Sequence, residues 1–564
     1  MANSIEKLDR QNFPHIAQDI DRALAEVGRR HGVSVAVKPW RVRENAAEAM
    51  VSIGILQPDQ LAAVLAQASE LCSLDRPAEA EKLLRERMDR GIGELDRLAA
   101  FELQLGIALR QQGRNTEALA LFDAAQARLP DLPGVDFARS GALQQLGRRE
   151  EAVESLRKAL TREPDHVSAL ACLAMISAEL GDFTTASQSG AAAVERDPDN
   201  PFALIALAIT DIEERRFAAA HERLERTIAN PAFMGDEGVT FAIVLAADAY
   251  DRQGKFADAF ALYRTSKARL RAIHAAKFGP ARMIRDVESC IGYFRYSPRW
   301  SASRIPPATA EEPHRHVFLL GFTRSGTTLL ESILAMSPEV VHADEVDFLS
   351  DAGRGLDIYS EAGLEKLAML GENEIIERQD VYWQAVHSAE FRVAGKVFVD
   401  KMPLNSLRLS LICRLFPSAR LIFVVRDPRD VVLSCFRRLF SASLTTFEYF
   451  NLEDCARFYA AVMTLVDLCR EKLPLDLYEH RHEQMIAAFE PSIRAVCNFI
   501  GIDWSEDMRD FHRVTRDVTI LSAAQVRRGL YAEGVGQWRR YRDALAPILP
   551  ILAPWVRRFG YAAD

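Results

Sequence analysis

A period of thirty-four residues constrains the fold of this chain more than any other feature of its sequence. A glycine followed five residues later by an alanine recurs at this interval, as does a proline: Gly113 and Ala118, Gly147 and Ala152, Gly181 and Ala186, with Pro130, Pro164 and Pro198. Arg215 and Ala220 continue the phase without the glycine, and Gly254 and Ala259 resume it after an insertion. A unit of this length buries an apolar face only against its neighbours, so the copies must stack as helix–turn–helix pairs. The pattern therefore predicts an all-α solenoid of about six copies.

The unit resembles the tetratricopeptide repeat, in which small residues let paired helices approach closely. The resemblance implies a concave face that binds a peptide or protein partner, with a purely architectural array as the alternative. We assign residues 61–275 to the repeats and leave residues 1–60, a helical N-terminal segment, without a role. Residues 276–313 lose the repeat phase and contain five prolines, which indicates a connecting segment.

The C-terminal part, residues 314–564, opens with a pattern typical of phosphate binding. An apolar run, Val317 to Leu320, leads into a loop from Gly321 to Gly326 and then into a helix-favouring stretch. Backbone N–H groups and the positive end of a helix dipole converge on an anion in such a loop. The spacing matches a Walker A loop, but Thr327 follows where a nucleoside triphosphatase needs lysine. This argues against a kinase or ATPase.

Two further apolar segments predict neighbouring strands of a parallel sheet. Lys396 to Asp400 forms a buried strand before Lys401, and Arg420 to Val425 forms a second before Arg426. Strands that are apolar throughout and separated by helical stretches suit a sheet covered on both faces. A guanidinium group after the second strand suits a phosphate, because it donates two parallel hydrogen bonds and stays charged.

These segments resemble sulfotransferases that use 3′-phosphoadenosine 5′-phosphosulfate (PAPS). The run Arg324-Ser-Gly-Thr-Thr resembles their 5′-phosphosulfate loop, and Arg426 with Ser434, eight residues later, resembles their 3′-phosphate site. The segments 337–345 and 521–527, with Trp538 downstream, resemble the tyrosylprotein branch of the family. The resemblance implies an α/β P-loop-like domain with a parallel sheet, PAPS as the donor, 3′,5′-ADP as the product and no metal.

The resemblance also implies the role of each site residue. Glu345 would be the base for a hydroxyl acceptor, since a phenol has a pKa of about 10 and needs a base at neutral pH. Lys401 would bridge the sulfate and the leaving phosphate oxygen, Arg324 would steady the sulfuryl group, and Ser522 would donate a hydrogen bond. The implied cofactor-binding set comprises Arg324, Ser325, Gly326, Thr327, Thr328, Arg426, Ser434, His482 and Arg527.

Alternatives to these roles stay open at this level. Glu345 also suits a solvated acidic turn, and Lys401 suits a surface pair with Asp400. Four residues depart from the family pattern: Thr323, Ser337, Asp344 and His482. The acceptor therefore stays open among a protein tyrosine, a saccharide hydroxyl and a small phenol. A hypothesis of a different class is a repeat scaffold whose C-terminal domain binds a nucleotide without turnover.

Composition agrees with a multidomain enzyme of the cytoplasm. A chain of 564 residues allows several domains, and its N-terminus shows no apolar signal region. Eight cysteines without paired spacing predict reduced thiols. No stretch has the length of a membrane helix, and a net charge of −9 argues against a nucleic-acid partner.

Overall fold

The structure is a computed structural model that describes residues 60–92, 95–132, 134–230, 235–279, 282–301, 311–513 and 534–563. Two compact units divide the chain between Ala249 and Tyr250. Of the N-terminal segment assigned above as residues 1–60, residues 1–59 lie outside the described residues. So do Ser522 and Arg527.

The first unit is built from consecutive helices that pack on one another in chain order. Their bounds are Gln60–Ser73, Pro77–Asp89, Leu95–Gln111, Asn115–Arg128, Val135–Gln145, Arg149–Arg162, Val167–Leu180, Phe183–Arg196, Pro201–Glu213 and Phe217–Ala229; Gly235–Arg252 extends across the boundary. Three of the prolines that mark the period, Pro130, Pro164 and Pro198, each follow the end of a helix. The predicted all-α repeat architecture is confirmed.

The turn inside each helix pair explains the recurring glycine. Gly147 has φ of +79°, a backbone conformation that costs other residues more because of their Cβ atom. Arg215 takes the same turn with φ of 63° where the glycine is lost, and Asp75 does so with φ of 57° in the degenerate first copy. The alanine five residues after each turn has no exposed surface in Ala80, Ala118, Ala152, Ala186, Ala220 and Ala259. The thirty-four-residue period therefore arises because these copies share one turn and one close contact between helices.

The second unit is a parallel sheet covered by helices. Its strands are β1 (Arg315–Gly321), β2 (Val340–Asp344), β3 (Val397–Lys401), β4 (Arg420–Val425) and β5 (Asp476–Arg481), in the order β2-β3-β1-β4-β5. The three central strands are those that the apolar runs predicted. The edge strands β2 and β5 were not predicted, because each mixes polar with apolar residues and is only partly buried.

The helices of this unit lie before, between and after its strands in the chain. They span Phe256–Phe278, Arg282–Tyr296, Thr327–Leu334, Leu349–Ala352, Glu361–Ala368, Glu372–Ser388, Leu409–Leu415, Pro428–Arg437, Leu452–Lys472, His482–Ala487, Phe489–Ile500, Arg542–Leu545 and Leu549–Arg558. Short 3₁₀ helices span Pro403–Arg408, Thr446–Phe450, Glu506–Arg513 and Gln537–Tyr541. Within the described residues, no helix is long and apolar enough to cross a bilayer. All eight cysteines are free thiols.

The helix Phe256–Phe278 belongs by its contacts to the unit that holds the sheet. The buried ammonium of Lys267 donates a hydrogen bond to the carbonyl oxygen of Arg438. Arg271 forms an ion pair of 2.6 Å with Asp454. The repeat phase, by contrast, continues as far as Ala259. The domain bounds 61–275, 276–313 and 314–564 therefore stay predictions.

Candidate active site

The carboxyl edge of the sheet gathers the predicted site residues. All five strands run parallel, so their carboxyl ends lie along one edge. The loop predicted to bind phosphate follows β1 there, and each of the other strands ends at or just before one predicted site residue: Glu345, Lys401, Arg426 and His482. In open α/β sheets, ligands bind outside the carboxyl ends of the strands, at the point where the order of the strands reverses.

The loop after β1 is held by hydrogen bonds from three neighbouring segments. Ser406 Oγ donates to the Gly321 carbonyl oxygen over 3.1 Å. The Thr323 hydroxyl lies 2.8 Å from the hydroxyl of the buried Tyr449. Arg426 donates from Nη1 to the Arg324 carbonyl oxygen over 3.0 Å. Thr323 stands where the family has proline, and its bond to Tyr449 supplies a tie that proline would not make.

Glycine is required at position 326 for two separate reasons. Its φ of +103° lies in the region that disfavours any other residue. A Cβ atom at this position would also lie 2.4 Å from His482 Nδ1, so the imidazole packs directly on the glycine. The helix Thr327–Leu334 begins at the next residue, and its first-turn N–H groups have no partner inside the helix. Such groups form an anion site.

A basic cluster surrounds this loop. Arg324 has φ of 71°, and its Nε donates a hydrogen bond to Ser434 Oγ over 3.1 Å. This contact joins a residue predicted to bind the 5′-phosphosulfate to one predicted to bind the 3′-phosphate. Arg426 also donates from Nη2 to the Gly534 carbonyl oxygen over 2.6 Å. Its Nε is buried without a partner in the described part of the chain. Arg324 and Arg426 thus offer the charge that a dianionic phosphate needs.

His482 closes the cluster as a neutral imidazole. Its Nδ1 atom has no partner among the described residues. Burial, together with the charges of Arg426 and Arg324, lowers the pKa of His482 well below its ordinary value. A buried ring nitrogen in this position, beside Gly326, is suited to form a hydrogen bond with an anionic ligand.

Lys401 lies on the other side of the loop, at the end of β3. Its side chain has no exposed surface, and its ammonium contacts Glu345 at 3.1 Å, Glu331 at 3.4 Å and Asp344. It also donates to Thr328 Oγ1 over 3.5 Å, so it reaches the first turn of the loop helix. A cation from a neighbouring strand thus reaches the helix that follows the loop, in a chain whose loop is followed by Thr327 and not by lysine.

The ammonium of Lys401 stays charged despite its burial. Burial by itself lowers the pKa of Lys401, but the carboxylates of Glu331, Glu345 and Asp344 outweigh it and raise the pKa above its ordinary value. Glu345 is half exposed, and its backbone N–H donates to the Lys401 carbonyl oxygen over 2.8 Å with φ of 56°. The same residue therefore faces both the ammonium and solvent.

Glu331 is a member of the site that the sequence analysis missed. It is buried on the loop helix, with one oxygen 3.4 Å from Lys401 and the other 2.8 Å from His342 Nδ1. The available signal was a lone carboxylate within an apolar helical stretch, three residues after Thr328 and so on the same helix face. A buried carboxylate needs partners, and Glu331 finds two.

Asp400 does not pair with Lys401, which removes one alternative. Successive strand residues point to opposite faces of a sheet. Asp400 lies in an aromatic layer, where the Tyr382 hydroxyl donates to its Oδ2 over 2.7 Å and also lies 3.0 Å from His316 Nε2. Burial raises the pKa of Asp400 to about 7.

Arg429, which follows Arg426 on the next helix, is a structural residue. Its guanidinium is buried, pairs with Asp427 at 2.8 Å and lies 3.8 Å from the ring centroid of Trp538. Asp430 accepts hydrogen bonds from the N–H groups of Gly536 and Trp538. These contacts fix the segment that begins at Gly534 beside Arg426.

Comparisons with known proteins identify two kinds of domain in this chain. A model of the sulfotransferase family matches residues 316–506, and a tetratricopeptide-repeat model matches residues 65–133 and 137–201. The C-terminal domain is a sulfotransferase domain, and it follows tetratricopeptide repeats. The domain is accordingly that of a transferase. Among the described residues, no group of three or more metal-ligating side chains is placed to hold a metal ion.

Similar proteins come from several organisms. The chain is 29% identical over 250 residues to an uncharacterized protein of Aquifex aeolicus, covering 42% of this chain and 32% of that protein. It is 24% identical over 257 residues to protein-tyrosine sulfotransferase 1 of Danio rerio, covering 43% and 72%. It thus spans about a third of the first relative's length.

Solved structures of both kinds of domain are also similar. A tetratricopeptide repeat protein from Parabacteroides merdae matches with a TM-score of 0.31 and 19% identity, covering 40% of this chain and 91% of that one. The sulfotransferase domain of the Synechococcus PCC 7002 olefin synthase matches with a TM-score of 0.30 and 20% identity, covering 42% and 91%.

Proposed function

We propose that the C-terminal domain transfers the sulfuryl group of PAPS to a hydroxyl acceptor, and that the acceptor is a tyrosine of a protein held by the repeats. The observation that carries the proposal is the contact of the buried Lys401 ammonium with both Thr328 on the loop helix and Glu345. One cation thus joins the phosphate-binding loop to a half-exposed carboxylate. Relatives named protein-tyrosine sulfotransferases support the choice of acceptor.

The residues present fit the proposed donor. The first turn of the loop helix would hold the 5′-phosphate, and Arg426, Ser434 and His482 would hold the 3′-phosphate side. The unpaired Nε of Arg426 and Nδ1 of His482 are the atoms that support this fit. When bound, PAPS supplies an activated sulfuryl group whose leaving group is already a phosphate. Ser522 and Arg527 keep their predicted roles as part of the proposal.

The protein's own residues would then act on the acceptor. Glu345 would accept the proton of the acceptor hydroxyl, because its carboxylate is half exposed beside the cationic Lys401. Lys401 would neutralise the negative charge that develops on the leaving 5′-phosphate, and would give up part of its contact with Glu345 to do so. Glu331 would keep the ammonium in place during this change, since it is buried and tied to His342.

A matched pair of substitutions tests the base. Glu345→Gln keeps the shape but cannot take a proton, so we expect turnover to fall by roughly 10²–10⁴-fold with little loss of 3′,5′-ADP affinity. Asp344→Asn removes a neighbouring carboxylate that also contacts Lys401, and should cost much less. The assay is mass spectrometry of tyrosine-containing peptides incubated with PAPS, which reads the mass of one added sulfate. Equal losses in the two variants would contradict the assignment of Glu345.

A repeat scaffold without turnover is the second candidate. The three carboxylates around Lys401 favour it, because they repel an anionic donor unless Glu345 moves away. Sulfate transfer separates the two candidates, because both are compatible with tighter binding of 3′,5′-ADP than of 5′-AMP in calorimetry. Binding without sulfate transfer to any peptide, saccharide or phenol would favour the scaffold.

A further inference from the structure

The predicted 3′-phosphate site lies just beyond the last paired residues of β4 and β5. The parallel register of these two strands ends at Val425 and Arg481. Arg426 and His482 are the next residues along each strand, so the ladder of backbone hydrogen bonds does not set their separation. Another contact is needed to hold the guanidinium and the imidazole in place for a common ligand.

One hydrogen bond joins the two segments beyond the ladder. The backbone N–H of Asp427 donates to Glu483 Oε1 over 2.9 Å. Asp427 directly follows Arg426, and Glu483 directly follows His482. This bond therefore spans the gap between the two strand ends and ties together the residues next to the predicted phosphate ligands.

Tyr561 holds the carboxylate of Glu483 in the orientation that this bond requires. Its hydroxyl donates to Glu483 Oε2 over 2.6 Å, so each carboxylate oxygen accepts one hydrogen bond. Burial and the charge of Glu483 raise the pKa of Tyr561, and its hydroxyl therefore stays a donor at neutral pH. Without this donor, the Glu483 side chain would be free to rotate away from the Asp427 N–H.

The segment that carries Tyr561, residues 559–563, is anchored beside β5. Arg481, the last residue of that strand, donates to the carbonyl oxygen of Phe559. Its guanidinium also lies 5.6 Å from the centroid of the Tyr561 ring, within the range of a cation–π contact. The ring is therefore held next to the strand end from which Glu483 follows.

A second anchor of the segment lies beside β4. The buried guanidinium of Arg429 donates to the carbonyl oxygens of Ala562 and Ala563 over 2.8 and 3.0 Å. It also forms two hydrogen bonds with the Asp427 carboxylate, over 2.9 and 2.8 Å. The segment is therefore linked to the residue next to Arg426 by a second route.

We propose that Tyr561 is a positioning residue for the 3′-phosphate of the nucleotide. Through Glu483, it holds Arg426 and His482 at the separation that this phosphate needs, because a small displacement of binding groups costs much of their effect. Tyr561 thereby sets the preference for a nucleotide with a 3′-phosphate over one without it. This role rests on the proposed function, in which Arg426 and His482 hold the 3′-phosphate.

Calorimetric titration of two nucleotides tests this role. Tyr561→Phe removes only the hydroxyl, and should weaken 3′,5′-ADP binding by about 10-fold, the equivalent of one hydrogen bond to a charged group, while 5′-AMP binding changes by less than about twofold. The matched control is Tyr478→Phe on β5, because the Tyr478 hydroxyl makes no hydrogen bond among the described residues. The control variant should bind both nucleotides as the wild type does.

The ratio of the two affinities separates positioning from general support of the fold. Equal weakening of both nucleotides in Tyr561→Phe would show that the hydroxyl only stabilises the domain, and would overturn the proposal. An unchanged affinity for 3′,5′-ADP would refute it as well. A wild-type protein that binds both nucleotides equally would instead contradict PAPS as the donor, so failure of this role and failure of the proposed function are distinguishable.

A double-mutant cycle tests whether Tyr561 acts through Glu483. Glu483→Ala should weaken 3′,5′-ADP binding at least as much as Tyr561→Phe, and the double variant should bind no more weakly than Glu483→Ala alone. If melting shows that Glu483→Ala does not fold, Glu483→Gln takes its place in the cycle, since its amide leaves one oxygen for two donors. Losses that multiply in the double variant would show that the two residues act independently, which is incompatible with the proposed route.

Discussion

Replacement of Asp400 by asparagine should stabilise the unit that holds the sheet, and should do so only above acidic pH. The Asp400 carboxyl has no exposed surface, and burial raises its pKa to about 7 from an ordinary 3.8. The folded protein therefore binds this proton more tightly than the unfolded chain does. Stability falls as pH rises from about 4 to about 7, because the proton must be lost from a buried site.

The size of the effect follows from the shift. A difference of about 3 pKa units corresponds to about 4 kcal/mol at pH 8, as an upper limit. Asparagine carries no charge at any pH and can still accept the hydrogen bond from Tyr382. Even about 1 kcal/mol would raise the melting temperature by about 2–4 °C. His316, whose pKa burial lowers to about 3, affects both proteins alike and cancels in the comparison.

Thermal melting of wild type and Asp400→Asn at pH 4.5 and pH 8 measures this. We expect only a small difference in melting temperature at the lower pH, where little of the penalty has developed, and a clearly higher value for the variant at the upper pH. Asp347→Asn is a control for which we expect the opposite change in stability. Burial raises the pKa of Asp347, but the hydrogen bonds from Arg408 and Ser350 outweigh burial and lower the pKa. That variant should lose stability at pH 8. The same gain for Asp400→Asn at both pH values would refute the reasoning.

Five further substitutions make three more predictions. Arg426→Ala should weaken 3′,5′-ADP binding by about 1.5–3 kcal/mol in calorimetry while 5′-AMP binding changes little, since only the former has a 3′-phosphate. Glu331→Gln should lower turnover about 10-fold or more, while the affinity for 3′,5′-ADP stays unchanged or becomes tighter. The control is Glu448→Gln, which replaces a buried carboxyl on the 3₁₀ helix Thr446–Phe450 and should affect only stability. Arg215→Gly should raise the melting temperature, because it relieves a left-handed turn worth roughly 1 kcal/mol, and Gly147→Ala should lower it.

The sequence by itself determined the architecture, because periodicity and apolar runs are local properties. A turn that needs positive φ at Gly147 and a small residue at Ala152 leaves its mark in every repeat. The three central strands could be predicted because both their faces are buried. The edge strands β2 and β5 could not, since a half-exposed strand of mixed residues has no such pattern.

Only the tertiary structure decided how the site residues combine. Thr328, Glu345 and Lys401 are far apart in sequence, and parallel pairing of β1, β2 and β3 brings their strand ends together. The register also sends Asp400 and Lys401 to opposite faces, which no local pattern reveals. Glu331 joined the site through its contacts with Lys401 and His342, which lie on other elements of the fold. Burial and charge compensation are properties of the packed molecule, and therefore residue type alone did not specify them.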